Sequence, residues 1–231
     1  MCEPQLALAD AGWTVIAPQL RGVDGGTADP AVSSIDDYAG DVVDLLDALH
    51  VEDAVIGGLS MGGYVTLAIF RHAPRYLRGM VLADTRPQAD TPESVEARKK
   101  MIALVREKGA AAVADEMLPR LLAASTREQQ PDVVERVRSL ILANSADAIA
   151  GALTAMMTRP DSTPLLESIH CPTLILVGDR DAVTPPALSE EMHRLIRGSE
   201  LTVIEGAGHL SSIEQPAAFN KALARFLEHR V

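Results

Sequence analysis

Short apolar runs alternate along this chain with segments whose apolar residues recur at helical spacing. The runs are apolar throughout instead of alternating with polar residues, which is typical of strands covered on both faces. Strands are predicted at residues 13–17, 54–57, 80–83, 173–177 and 201–204. Strand–helix alternation of this kind predicts an α/β fold, in which helices wrap a parallel sheet.

Two helices are predicted within the first part of this alternation. The first covers about residues 34–49, where Ser34 is a typical cap and Asp36 and Asp37 favour the positive end of the helix. The second covers about residues 62–72 and ends before a proline. Both helices follow a predicted strand, as a parallel sheet requires.

The stretch from residue 86 to residue 163 breaks the alternation, because it contains no convincing strand. Its helices are predicted at about residues 91–105, 110–123, 131–143 and 146–158. We interpret this stretch as a helical insert on the sheet. The core then comprises residues 1–85 and 164–231.

Composition and charge narrow the class of protein. Hydrophobic residues make up 47% and aromatic residues only 3% of the 231 positions, so small aliphatic side chains must build the core. The net charge of −11 argues against binding to nucleic acid and against adsorption to an anionic membrane. The charge disfavours these two classes of partner and says little else.

The remaining compositional signals favour a cytoplasmic protein. Two cysteines, Cys2 and Cys171, support neither a disulfide scaffold nor a cysteine-rich metal site. No basic segment followed by an apolar stretch opens the chain, so no signal peptide is expected. No uninterrupted apolar run reaches the length of a membrane span.

A glycine-rich turn carries the first chemical signal. The segment Gly-Leu-Ser-Met-Gly at residues 58–62 follows a predicted strand and opens a predicted helix. Such a turn holds the serine in a strained conformation and lifts its hydroxyl from the sheet, and glycines two residues away on either side remove side chains that would clash. We predict that Ser60 is a nucleophile; the alternative is a turn that merely contains serine.

A serine hydroxyl needs a base to accept its proton, and six histidines compete for that role. Only His209 lies in a flexible loop directly after the last predicted strand, at the sheet edge expected for Ser60. The other five lie on helices, at helix ends or in a connection: His50, His72, His170, His193 and His229. We predict His209 as the base, against the alternative of a solvated loop residue.

Three aspartates are candidates for the acid that orients the base. Asp179 and Asp181 follow the fourth predicted strand, and Asp84 ends a strand of its own. Asp179 also has Arg180 beside it as an alternative partner. The chain order serine, acid, histidine favours Asp181.

These motifs resemble the α/β-hydrolase family, in particular its small bacterial esterases, enol-lactonase-like enzymes and cofactor-free perhydrolases. The resemblance covers the chain from about residue 5 to its end. It is carried by Gly-Leu-Ser-Met-Gly-Gly, Gly-Asp-Arg-Asp-Ala-Val-Thr-Pro and Gly-Ala-Gly-His-Leu-Ser. It implies that the helical insert is a cap over an acyl pocket, and that the enzyme uses no metal and no organic cofactor.

The resemblance also implies a mechanism. Ser60 stands where dehalogenases and epoxide hydrolases of this fold have an aspartate, so an acyl-enzyme intermediate is expected. Ser60 would attack a small ester or lactone, His209 would transfer the proton, and Asp181 would stabilise the imidazolium. The backbone N–H of Met61 would be one donor of the oxyanion hole.

One part of the family pattern is absent. Family members begin with three strands before the segment that opens this chain, and a His-Gly loop after the third strand supplies the second oxyanion donor. One hypothesis is that the loop at residues 21–27 supplies a substitute donor. Residues 13–17 and 54–57 are expected to pair directly in a reduced sheet, whereas a strand borrowed from a second copy would favour a homodimer.

The absent loop leaves two alternatives to an active esterase or lactonase. One is a catalytically weak or inactive relative that binds a small ligand. The other is an incomplete gene product whose parent is an ordinary esterase. Covalent labelling of Ser60 addresses the first alternative, and the DNA upstream of Met1 addresses the second.

Overall fold

The computed structural model describes residues 8–9, 11–22 and 34–231. Its sheet has four parallel strands in the order β1-β2-β3-β4. The strands are β1 (Ala54–Leu59), β2 (Leu77–Ala83), β3 (Thr173–Gly178) and β4 (Glu200–Ile204). The predicted α/β class and its reduced parallel sheet are therefore confirmed.

Nine α-helices accompany these strands in the described part of the chain. They are α1 (Ile35–Ala48), α2 (Met61–His72), α3 (Pro92–Leu121), α4 (Ala124–Gln129), α5 (Pro131–Leu142), α6 (Ala146–Met157), α7 (Pro186–Leu195), α8 (Ser211–Glu214) and α9 (Pro216–Arg230). Short 3₁₀ turns cover Pro74–Tyr76 and Thr163–Ser168. Every strand from β1 to β4 is followed by a helix before the next element of the sheet or the chain end.

Helices cover both faces of the sheet, as the apolar strands predict. On one face, Val81 and Leu174 lie in a buried cluster with Phe226 of α9. On the other face, Met80 and Ile175 lie in a buried cluster with residues of α2 and α7. Neighbouring residues of one strand thus point to opposite layers, and burial on both sides is what stabilises the sheet.

The predicted cap of the first helix is present. The Ser34 hydroxyl accepts a hydrogen bond from the backbone N–H of Asp37 at 3.2 Å, and the Asp37 carboxylate accepts one from the backbone N–H of Ser34 at 2.9 Å. This reciprocal pair satisfies two donors that the first turn would otherwise leave without partners. It starts α1 at Ile35, one residue after the predicted cap.

The predicted strand at residues 13–17 does not form. Within the described residues, positions 13–20 contain no strand, and β1 pairs only with β2. The half-buried side chain of Trp13 packs against the apolar cluster between the sheet and α9. The predicted direct pairing with β1 is therefore wrong. Apolar composition drives burial of side chains, but a strand also needs a neighbouring backbone about 4.8 Å away.

Helices α3–α6 occupy the chain between β2 and β3, where the sequence predicts a helical insert. The chain bends inside α3 at Gly109, whose φ of 77° interrupts the helix where the sequence separates two helices. The short helix α4 was not predicted. Helices α3–α6 pack through two apolar clusters. One cluster contains Val137, and the other contains Val105.

A buried ion cluster ties the start of this insert to its end. The carboxylate of Asp90 accepts hydrogen bonds from Arg86 at 2.8 Å, Arg98 at 2.5 Å and Arg159 at 2.8 Å. Burial alone would raise the pKa of Asp90, but the hydrogen bonds and charges of Arg98 and Arg159 outweigh it and lower the pKa. Arg159 also lies 4.1 Å from the ring centroid of Tyr64, so α2 contacts the cluster.

The length and the apolar content of a helix decide whether it could cross a membrane. None of the described helices is by itself both long and apolar enough to cross a membrane. The pair α5 and α6 meets the length and composition criteria only jointly, across a bend of 92°.

Candidate active site

The three predicted site residues lie at one edge of the sheet. Ser60 directly follows β1, Asp181 lies three residues after β3, and His209 lies five residues after β4. Because all strands are parallel, their carboxyl ends meet at this edge, which is where ligands bind in open α/β sheets.

The turn between β1 and α2 holds Ser60 in an unusual backbone conformation. Its φ of 53° and ψ of −112° are uncommon for a residue with a side chain. Three hydrogen bonds keep it there: Ser60 N–H donates to the Ala83 carbonyl at 2.9 Å, and the Ser60 carbonyl accepts from Gly63 N–H at 2.9 Å and from the Thr85 hydroxyl at 2.8 Å. The strain is thus maintained by β2 and by the first turn of α2.

The glycines of this turn have unequal roles. A Cβ on Gly58 would lie 2.0 Å from the carbonyl carbon of Gly62, and one on Gly63 would lie 2.5 Å from the hydroxyl of Thr85. A Cβ on Gly62 meets no atom within 4 Å. The expected clash is therefore present at Gly58 but not at Gly62, and the second position that excludes a side chain is Gly63.

A continuous line of hydrogen bonds joins the three predicted residues. The Oγ of Ser60 lies 2.8 Å from Nε2 of His209, and Nδ1 of His209 lies 2.8 Å from Oδ2 of Asp181. A carboxylate only accepts hydrogen bonds, so Nδ1 carries the proton and Nε2 is free to accept from the serine hydroxyl. His209 is 2% and Asp181 4% exposed, whereas Ser60 is partly exposed, so Ser60 is the accessible end of the line.

The surroundings of Asp181 favour its ionised form. Its Oδ1 accepts the N–H groups of Val183 at 2.8 Å and Thr184 at 2.9 Å, and its Oδ2 accepts the Thr184 hydroxyl at 2.6 Å. Burial alone would raise the pKa of Asp181. The hydrogen bond and charge of His209, together with the donors of Thr184, outweigh burial and lower the pKa.

The other two candidate acids contact different groups. Asp179 accepts the Gly206 N–H at 2.8 Å and pairs with Arg180 at 3.2 Å, which fixes the turn after β3. Asp84 accepts the Gly178 N–H at 2.9 Å and the Ser211 hydroxyl at 2.5 Å. The carboxylate that lies within hydrogen-bond distance of the His209 ring is that of Asp181.

Asp84 is a buried group that the sequence indicated only as an alternative acid. It has no exposed surface and sits at the end of β2 with a φ of 44°. Burial raises its pKa to about 7, although the hydrogen bond from Ser211 and the charge of His209 act to lower it. Its contacts to Gly178 and Ser211 join the end of β3 to the residues after His209.

The five other histidines, all among the described residues, lie away from this line. His72 pairs with Asp36 at 3.3 Å on the surface, and His193 contacts the Ser199 hydroxyl at 2.9 Å. His50 and His170 are exposed, and His229 lies in the last turn of α9. The structure therefore brings only His209 to Ser60.

The backbone also offers a donor beside Ser60. Met61 is the first residue of α2, and the N–H groups of a first helical turn have no partner within the helix. Such groups, with the positive end of the helix dipole, stabilise negative charge that develops next to them. The loop at residues 21–27 is the hypothetical source of a second donor. Residues 23–27 of this loop lie outside the described residues.

A metal site would need several His, Cys, Asp or Glu side chains grouped together. In residues 8–9, 11–22 and 34–231, no group of three or more His, Cys, Asp or Glu side chains is arranged to hold a metal ion. Of the buried carboxylates described above, Asp84 bonds to backbone N–H groups and a hydroxyl, Asp181 also to the His209 ring, and Asp90 to arginine side chains.

Comparison with known proteins gives a consistent result. The model of the alpha/beta hydrolase family matches residues 3–222. The chain belongs to this family. Among characterised relatives of this α/β hydrolase, 3-oxoadipate enol-lactonase 2 of Acinetobacter baylyi is 30% identical over 223 residues, which cover 96% of this chain and 82% of the relative.

Solved structures agree with this assignment. A thermophilic esterase from Thermogutta terrifontis is 40% identical, with a TM-score of 0.94 over 98% of this chain and 84% of the esterase. The enol-lactonase from Burkholderia xenovorans is 28% identical, with a TM-score of 0.90 over 99% of this chain and 86% of the lactonase. The predicted membership of the α/β-hydrolase family, close to esterases and enol-lactonases, is confirmed.

Proposed function

We propose that this carboxylic-ester hydrolase cleaves a small ester or lactone through an acyl-enzyme intermediate on Ser60. The observation that carries the proposal is the line from Ser60 through His209 to Asp181, with both contacts at 2.8 Å. Serine, imidazole and carboxylate in this geometry are the groups that nucleophilic acyl transfer needs. The names of the relatives support an ester or lactone as the substrate class.

In the first half-reaction, the oxygen of Ser60 forms a bond to the carbonyl carbon of the substrate. Nε2 of His209 takes the hydroxyl proton, and the ionised Asp181 stabilises the resulting imidazolium. The tetrahedral intermediate then collapses, and the bond from carbon to the leaving oxygen breaks. His209 returns the proton to that oxygen, so an alcohol leaves from an ester, whereas the opened ring of a lactone stays attached.

In the second half-reaction, water replaces the alcohol. His209 takes a proton from water, the hydroxide oxygen bonds to the acyl carbon, and the bond from that carbon to the Ser60 oxygen breaks. The proton returns to Ser60, and a carboxylic acid is released. The N–H of Met61 donates to the oxyanion in both steps, and loss of one such donor costs about 100- to 1,000-fold in rate.

The insert has a proposed role in this scheme. Residues 86–163 form a cap that covers the acyl group, and residues 1–85 and 164–231 form the core that carries the nucleophile, acid and base. The support is the position of the insert, which leaves the sheet after β2 and returns before β3. In the sheet, β2 lies between β1, which precedes Ser60, and β3, which precedes Asp181. Its Leu121 carbonyl accepts the N–H of His209 at 3.0 Å, so the insert reaches the base.

Covalent labelling and turnover test the proposal together. We expect p-nitrophenyl butyrate and a small lactone to be hydrolysed, and a fluorophosphonate to label the protein once, at Ser60. In Ser60→Ala, labelling disappears and kcat falls by about 10⁶-fold, because the nucleophile is gone. Ser211→Ala is the matched control for chemistry, because its hydroxyl bonds to Asp84 and should not be labelled. Failure of the parent protein to label or to turn over either substrate would favour a ligand-binding relative without catalysis.

The cellular setting rests on sequence alone. A cytoplasmic location, the absence of a nucleic-acid or membrane partner and the homodimer stay predictions. Light scattering over a wide range of protein concentration measures the oligomeric state directly, and a monomer throughout would exclude strand exchange between copies.

A further inference from the structure

A further buried carboxylate, that of Glu214, lies beside the loop of His209. Glu214 ends α8, five residues after His209, and is 2% exposed. Neither the proposed chemistry nor the sequence motifs use it. Its carboxylate accepts four hydrogen bonds from two separate parts of the chain, which is close to the full acceptor capacity of an ionised carboxylate.

One oxygen of Glu214 holds the loop of the base. Its Oε1 accepts the N–H of Gly208 at 2.8 Å and that of Leu210 at 3.3 Å. These two residues flank His209 on either side. Hydrogen bonds to a charged acceptor are stronger than those between neutral groups, so this oxygen restrains the backbone that carries the imidazole.

The other oxygen holds the junction between α3 and α4. Its Oε2 accepts the N–H of Ala123 at 2.8 Å and the hydroxyl of Thr126 at 2.7 Å. Thr126 has no exposed surface, and Ala123 is 4% exposed. The same side chain therefore connects the helical insert to the loop of His209.

The two backbones also touch directly. The N–H of His209 donates to the Leu121 carbonyl at 3.0 Å. A Cβ on Gly208 would lie 2.6 Å from the Ala123 nitrogen and 3.0 Å from the Leu122 carbonyl carbon, so the loop approaches the junction where no side chain fits. No side chains lie between the two backbones at this point that could rearrange. A shift of the junction therefore also moves the loop of His209.

We propose that Glu214 is a positioning residue that links the α3–α4 junction to His209, so that the placement of the helical insert sets the orientation of the base. The inference rests on the proposed function for its kinetic consequence. Its structural consequence, the coupling of Thr126 to the His209 ring through Glu214, is measurable without a substrate.

Glu214→Gln removes one acceptor without changing the shape of the side chain. Glutamine has one oxygen, so one of the two donor pairs loses its acceptor whichever way the amide turns. We expect kcat to fall by about 10- to 100-fold, as for other small misplacements of a reacting group, with KM changed less than about threefold. We also expect the Nδ1 proton resonance of His209, observed by NMR, to shift or broaden.

Thr126→Val is the milder variant and keeps the side-chain volume. It removes one donor in the insert and leaves Gly208 and Leu210 bonded to Glu214. We expect kcat to fall by about 3- to 10-fold, with the same change in the His209 resonance. Thr173→Val is the matched control, because Thr173 is equally buried but donates to the Cys171 carbonyl at 3.0 Å, at the far end of β3. Its kcat and His209 resonance should stay as in the parent protein.

A double-mutant cycle decides whether Thr126 acts through Glu214. If it does, Thr126→Val should change kcat by less than about twofold in the Glu214→Gln background. Additive effects would overturn the proposal, as would an unchanged His209 resonance in folded Glu214→Gln and Thr126→Val. If the parent protein shows no turnover but the resonance responds in both variants, the coupling stands and the esterase proposal fails.

Discussion

Ser60 and His209 are held in place by different physical means. Around Ser60, the turn is fixed by close backbone approach, with no room for a side chain at Gly58 or Gly63. Around His209, the loop is fixed by buried carboxylates, Asp181 and Glu214, which accept N–H and hydroxyl donors.

Because of this difference, the two regions should respond to different perturbations. Steric exclusion does not depend on charge, so the turn at Ser60 should respond to side-chain volume and hardly to pH. A carboxylate network depends on ionisation and on the number of acceptors, so the region of His209 should respond to isosteric amide substitutions and to pH. The variants below test the contrast, from the largest expected effect to the smallest.

Among these variants, the largest effect is expected at Asp181, the proposed acid. Asp181→Asn keeps the volume but removes the charge and favours the wrong imidazole tautomer, so kcat should fall by about 10⁴-fold in ester hydrolysis assays. Asp179→Asn is the matched control two residues earlier, because its oxygen still accepts the Gly206 N–H, and kcat should change by less than about threefold. Equal losses in both variants would contradict the assignment of the acid.

The next effect separates two glycines of one turn. Gly58→Ala places a methyl group 2.0 Å from the Gly62 carbonyl carbon, so the free energy of unfolding should fall by about 3 kcal/mol. Gly62→Ala meets open space inside α2 and should leave stability equal or raised by about 0.5 kcal/mol. Urea denaturation measures both values, and similar stabilities for the two variants would refute the steric account.

A smaller effect is expected from the pH dependence of Asp84. Its pKa is about 7 in the folded protein and 3.8 without burial, so the folded state holds this proton more tightly. The resulting stabilisation is complete below pH 3.8 and is lost as the pH rises through 7, about 2 to 3 kcal/mol between pH 5 and 8. The lowered pKa of Asp181 acts in the opposite direction and below pH 4, outside this window.

Asp84→Asn mimics the protonated form and isolates this contribution. We expect its free energy of unfolding to vary less between pH 5 and 8 than that of the parent protein, as measured by denaturation at several pH values. Equal slopes in the two proteins would show that Asp84 is ionised throughout, or that other groups set the pH dependence.

The smallest effect is expected in the segment before α1. Thr14 is exposed and lies outside the sheet, so Thr14→Pro removes no ladder hydrogen bond and should lower stability by less than about 1 kcal/mol. The same substitution at Ile175, fully buried in β3, should prevent folding. A loss above about 2 kcal/mol for Thr14→Pro would show that residues 13–17 pair as a strand in solution.

Most of the fold could be predicted from local patterns. Four apolar runs became β1–β4, and Ser34 capped α1 as its hydroxyl and position indicate. The run at residues 13–17 is also mostly apolar but forms no strand. The reason is that a strand is defined by a neighbouring backbone, which the composition of the run itself does not encode.

The candidate site was predictable to a similar extent. Gly58, Ser60 and the loop of His209 belong to motifs whose spacing indicates their chemistry, and the geometry places Ser60, His209 and Asp181 in line. Glu214 was not predicted, because neither its position two residues before Pro216 nor the motif around His209 distinguishes it from a solvated glutamate. Only its burial between two distant segments indicates a role.

The sequence by itself determined the class of fold, the order of serine, acid and histidine along the chain, and the turn that presents Ser60. These features are local: they depend on side-chain polarity, on helix and strand periodicity, and on where glycine is tolerated. Only the tertiary structure decided which aspartate meets the imidazole, that Gly63 excludes a side chain, and how the helical insert contacts His209. The contacts that decide these features join Asp181 to His209, Gly63 to Thr85 and Leu121 to His209, which are 28, 22 and 88 residues apart in the chain. The folded sheet sets these distances, and local sequence does not.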